Sequence, residues 1–235
     1  MKEYLSTLTY IVVWLVFWAA AWRAFYGPMR LRGIDYIHRS VLTAGYFFIL
    51  SLFAAAVFGG PLGEVVTAPG AAAWGALAGM FALQFGLYFA AKSLLRKPTA
   101  MIEANPLEFF LRLDFRYLFS KSFEVLFQQT MIVALVATLS RAVGNLVWVC
   151  LLFAAVFAMG HLPMIHLFGN QTTSFARFYI AAAVASAAVF PPLILKVPGG
   201  PVYAYIVHSL FYTILALVLW VKHTAPPPGN RNGTK

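Results

Sequence analysis

Three ionisable side chains, Glu124, His161 and His208, lie inside strongly apolar stretches of the chain. Such a group at mid-membrane depth costs about 2.5–3.5 kcal/mol on insertion scales, so each needs a partner or a task. Each has a companion one helical turn away: Gln128 for Glu124, Phe157 for His161 and Tyr212 for His208. Tyr205, three residues before His208, extends the last pair into a polar stripe. Brought to one wet cavity, a carboxylate and two imidazoles can do general acid–base work on a water molecule. The same three side chains also form an acceptable zinc set with an open position, although they offer no local ligand pair at i, i+4. The plain structural alternatives are histidine-to-carbonyl bonds across helices and an interfacial ion pair between Lys121 and Glu124. His38, His166 and His223 fall in a loop or near helix ends and read as ordinary polar residues.

The elements that must position these groups follow from composition. Of 235 residues, 62% are hydrophobic and only 10% charged, against about a quarter charged in ordinary soluble domains. That excludes a water-soluble globule and an intrinsically disordered chain. The expectation is an all-α, polytopic bundle forming one transmembrane domain over residues 1–224. Apolar runs give seven candidate spans, roughly 4–25, 40–59, 70–91, 117–139, 143–166, 175–195 and 202–221. The first is too long for the apolar core of a signal peptide and reads as a retained span. Trp14, Trp18 and Trp22 recur along it every four residues, an aromatic face suited to partner or lipid contact. With the N-terminus outside, all of the 17 basic residues except Lys2, Arg141 and Lys196 fall on the inner side. The positive-inside rule therefore predicts N-out and C-in with an odd number of spans. The surplus of 17 basic over 7 acidic residues is accounted for by topology and anionic head groups, with no role for nucleic acid.

Smaller features fill in the plan. Asn105-Pro106-Leu107-Glu108 reads as a helix cap leading into the fourth span at head-group depth. Gly75 and Gly79 make a small-xxx-small pattern that predicts close packing within the bundle. The tail 225–235, with its Pro-Pro-Pro run, reads as disordered. Asn170-Gln171-Thr172 and Asn232-Gly233-Thr234 match the glycosylation pattern but fall on the predicted inner side. The single Cys150 precludes an intramolecular disulfide.

Phe123-Glu124-Val125-Leu126-Phe127-Gln128-Gln129 resembles the Glu-Glu-x-x-Phe-Arg-Gly signature of the CAAX-protease and bacteriocin-processing (CPBP) membrane endopeptidases. Phe157-Ala158-Met159-Gly160-His161 fits that family's Phe-x-x-x-His motif, and His208-Ser209-Leu210-Phe211-Tyr212 fits the first position of its His-x-x-x-Asn motif. The resemblance covers a core of about residues 115–221. It implies that Glu124 is the base activating a water against a peptide carbonyl, with His161 and His208 holding the water and the oxyanion. The pattern also departs from the family: one carboxylate of the pair is Phe123, the Arg is Gln128 and the Asn is Tyr212. Gln128 and Tyr212, with Tyr205 and Phe157, then stand as supporting residues.

Two functions stay open at this point. One is an intramembrane endopeptidase acting on lipidated or membrane-borne peptides, in what the sequence suggests is a bacterial cytoplasmic membrane. The other is a catalytically inactive relative that binds a lipid, a prenyl group or a membrane-protein partner. A transporter would be favoured by duplicated halves, and none are visible.

Overall fold

A computed structural model describes residues 2–104, 113–168 and 173–224. The expected cap at Asn105–Glu108, both sequons and the tail 225–235 fall wholly or partly outside these residues. Every regular element is helical, and no strand occurs among the described residues. The chain runs through α1 (Lys2–Ala24), a π-helical turn (Phe25–Met29), α2 (Ser40–Val57), α3 (Gly59–Val65), α4 (Ala71–Leu94) and α5 (Thr99–Ala104). It continues through α6 (Phe115–Val143), α7 (Leu146–Phe168), α8 (Thr173–Ser186), α9 (Phe190–Lys196) and α10 (Gly200–Thr224). The π-helical turn contains Pro28, whose missing N–H breaks the regular ladder there.

Five helical segments are long and apolar enough to cross a membrane: Ser6–Met29, Ser40–Val57, Ala71–Leu94, Phe115–Val143 and Gly200–Lys222. The expected fifth and sixth spans are not among them. The fifth corresponds to α7, a continuous helix of 23 residues, whose part Leu146–Leu162 is apolar. The sixth is broken in two. Turns at 187–189 separate α8 from α9, and Pro191 and Pro192, at the start of α9, cannot continue a ladder from the helix before.

The organising element is α6, against which α1, α2, α3, α7, α9 and α10 all pack. Asp114 caps its start by accepting the Arg116 N–H at 2.8 Å. The Asp114 carboxyl is pushed up by partial burial but pulled lower overall by its hydrogen bonds from Arg116. Gly144 ends the helix in the left-handed conformation, φ 61°, which favours glycine. Asn145 then caps α7 by accepting the Val147 N–H at 2.9 Å.

The aromatic stripe of α1 points inward. Trp14, Trp18 and Trp22 are each 1% exposed, which overturns the expectation of an outward-facing stripe. They meet Phe127 of α6 and Phe157 of α7, and the Trp14 indole donates to the Met131 carbonyl at 2.6 Å. Helices attract one another in lipid through packing rather than water exclusion, and large rings meeting rings supply that contact. The opposite correction applies to Gly75 and Gly79, which are exposed, with no atom within 4 Å of where their Cβ would stand. Close approach occurs instead at Gly160 of α7, where a Cβ would lie 3.0 Å from Trp14 Cζ3 and 3.3 Å from Trp18 Cδ1. Gly160→Val is therefore expected to destabilise the bundle by about 1–3 kcal/mol, measured by unfolding in mixed micelles. A variant as stable as the parent would show that α1 and α7 can separate freely.

Candidate functional site

Lys121, Glu124 and Gln128 follow one another at helical spacing along a stripe of α6, and their side chains join. Lys121 Nζ donates to Glu124 Oε1 at 2.5 Å, and Gln128 Nε2 donates to the same oxygen at 2.6 Å. Glu124 is 2% exposed and its Oε2 hydrogen-bonds nothing. Lys121 Nζ also stands 3.7 Å above the centre of the Tyr212 ring, within cation–π range. Tyr36, in the connection between the π-helical turn and α2, closes the far side. Burial first and the Glu124 charge second push its phenol well above the ordinary range.

Gln128, Phe157, His161, His208 and Tyr212 line one cavity of about 230 Å³, with α8 and α9 supplying mostly apolar walls, Phe190 among them. All five come from the three sequence segments singled out for chemistry. His161 Nδ1 meets the Phe157 carbonyl at 2.7 Å, and its ring lies edge-on to Phe157 and against Trp18. That contact requires the proton on Nδ1, which leaves Nε2 as an acceptor. His208 stacks on Tyr212 with ring centres 5.4 Å apart, and its Nδ1 lies 3.4 Å from Gln129 Oε1. Each companion one helical turn away is thus in contact with its ionisable partner.

Two placements differ from the sequence reading. Tyr205 does not continue the His208–Tyr212 stripe into the cavity: its hydroxyl donates to the Ser122 carbonyl at 3.2 Å, and its ring lines a separate groove. Glu124 is not on the cavity wall but behind Gln128. Lys121, weighed only as a surface partner, is 12% exposed and belongs to the cluster. Its position three residues before Glu124 was the available signal. Gln129 carried no such signal beyond being polar in an apolar run.

The zinc alternative needs Glu124, His161 and His208 around one point. Among the described residues, no three His, Cys, Asp or Glu side chains form a group that would hold a metal ion. One Glu124 oxygen is already bound by an ammonium, which would repel a cation. These residues do not fit a resident zinc ion.

The long apolar helices make the chain an integral membrane protein, built as a helical bundle around a buried helix that carries a Lys–Glu–Gln cluster. Comparison with protein-family models, curated proteins and solved structures finds no match to this chain.

Proposed function

We propose that the chain is a CPBP-like intramembrane endopeptidase that hydrolyses lipidated or membrane-borne peptides. The observation that carries this reading is the shared cavity: His161 and His208 line it together, and Gln128 links it to Glu124. In the proposed reaction Glu124 takes a proton from water, the water oxygen attacks the peptide carbonyl, and Glu124 returns that proton to the amine nitrogen as the C–N bond breaks. His161 Nε2 orients the water. His208, whose Nδ1–H is directed at Gln129 Oε1, leaves Nε2 to accept from the water, and the Tyr212 hydroxyl donates to the oxyanion where the family pattern has Asn, a type of contact typically worth about 10²–10³ in rate. A base must come within hydrogen-bond reach of its water, directly or through one bridging water. Gln128 therefore has to turn aside when substrate enters.

The proposed orientation is N-out and C-in. It holds for five spans or seven, because both numbers are odd. The proposed location is a bacterial cytoplasmic membrane.

A second reading has its own support. Glu124 Oε1 already accepts from both Lys121 and Gln128, an arrangement suited to a structural carboxylate. On that reading the cavity serves binding or assembly with a lipid, a prenyl group or a membrane-protein partner. The deciding experiment incubates purified protein in liposomes with a quenched lipidated peptide, beside Glu124→Gln. Cleavage that disappears in the variant establishes the peptidase. Absence of cleavage by folded, monodisperse protein across a panel of lipidated and membrane peptides favours the binding module.

A further inference from the structure

Residues 128 and 129 of α6 face two different spaces. Gln128 lines the cavity of the proposed site, whereas Gln129 lines a groove of about 960 Å³ between α2–α3, α4, α6 and α10. That volume lies at the upper end of small-molecule sites, roughly 300–1,000 Å³. The groove walls are almost wholly apolar, with Trp74, Phe81, Phe85, Phe119, Phe123 and Leu126 prominent. Trp74, Phe85 and Phe119 are exposed, so the groove opens on the lipid-facing side of the bundle.

Of the polar residues in this wall, Ser122, Thr130 and Tyr205 donate their hydroxyls to backbone carbonyls, and Gln129 differs from them. It is 3% exposed, its Oε1 faces His208 Nδ1 at 3.4 Å, and its Nε2 hydrogen-bonds nothing. A buried amide donor without an acceptor is costly, and in hydrocarbon no water is present to relieve it. Beneath this long apolar bed lies one unpaired N–H with no exposed surface of its own, which an acceptor reaches only when the side chains of the wall shift, next to a histidine that also lines the cavity of the proposed site.

We propose that the groove binds a fatty acyl chain, with Gln129 Nε2 donating to the carbonyl at the head of that chain. An isoprenyl thioether supplies similar apolar bulk but no acceptor at that point, so the unpaired donor selects acyl over prenyl. This rests on the reading of the cavity as a site for lipidated peptides and names the lipid. An acyl carbonyl at Gln129 lies next to His208, which lines the cavity of the proposed site.

The test uses the full chain in nanodiscs and two photoreactive probes, a palmitoyl amide and a hexadecyl thioether, that differ at the head of the chain. The sites of labelling are mapped by peptide mass spectrometry. The amide is expected to label groove residues about fivefold more than the thioether, the preference one hydrogen bond confers. Gln129→Leu should equalise the two probes. Ala55→Trp, at the groove wall, should reduce groove labelling by both. Equal labelling by the two probes on the parent chain overturns the proposal, as does label spread evenly over the outer faces of α2 and α4. A preference that survives Gln129→Leu in folded protein also overturns it. The readout is binding, so the same measurement on Glu124→Gln separates failure of the groove from failure of the peptidase reading.

Discussion

Lys121→Met destabilises the protein by about 3–5 kcal/mol, the cost of leaving a buried charge without its partner. Glu124 is 2% exposed and Lys121 12%, so little water reaches either group to replace the other. After the substitution, the carboxylate keeps neutral partners, Gln128 Nε2 at 2.6 Å and the Tyr36 phenol, and neutral donors do not compensate a full charge. Tyr212 loses the ammonium 3.7 Å above its ring. Unfolding in mixed micelles measures the loss, and the double variant Lys121→Met/Glu124→Gln identifies its source. Replacing both members of a buried pair by neutral groups is often nearly neutral, whereas removing one is not. The double variant should therefore regain most of the stability. If the two substitutions instead add, the pair is not coupled, and Lys121 acts through packing alone.

This pair also shows how far the sequence could be read. The spacing of Lys121, Glu124 and Gln128 was enough to place three polar groups on one face of one helix. It could not say whether that face met water, lipid or protein, because almost every other residue in the region is apolar and hydropathy does not distinguish lipid from a neighbouring helix. The same ambiguity explains the tryptophans and the glycines. Trp14, Trp18 and Trp22 are spaced as one stripe whether it faces in or out, and the structure turns it inward. Gly75 and Gly79 have the spacing of a packing motif but lie on an exposed face, while Gly160, outside any such pattern, takes the close contact. Short-range pairs were legible because helix geometry dictates them: Glu124 with Gln128, His161 with Phe157, His208 with Tyr212. Interhelical contacts such as Trp18 with His161 or Gln129 with His208 depend on how the helices rotate about their axes, which periodicity leaves open in a nearly uniform apolar segment. The break at Pro191-Pro192 was visible, but its consequence was not. It splits the expected sixth span into α8 and α9, and the two helices then wall the cavity from two directions.

The inward stripe gives Trp18 a double role. Its ring stacks at 5.1 Å on Trp14, and contacts Phe127 at 6.0 Å, Phe157 at 5.7 Å and His161 at 5.6 Å. It therefore joins α1 to both α6 and α7 and forms part of the backing of the cavity histidine. Trp18→Ala is expected to cost about 3–5 kcal/mol, the range for deleting a large buried ring whose neighbours only partly collapse into the space. The indole N–H of Trp18 hydrogen-bonds nothing, so the loss comes from volume and ring contact rather than from a broken polar bond. Trp18→Phe keeps a ring in place, sacrifices no hydrogen bond and should cost less than half as much. Equal losses for Phe and Ala would refute the packing account. The same pair of variants reaches the site, because with Trp18 gone Phe157 is the ring left against His161 among the described residues. If His161 orients a water, Trp18→Ala lowers turnover in the protein that remains folded while Trp18→Phe largely preserves it. Turnover measured per folded molecule separates this positioning effect from the loss of stability.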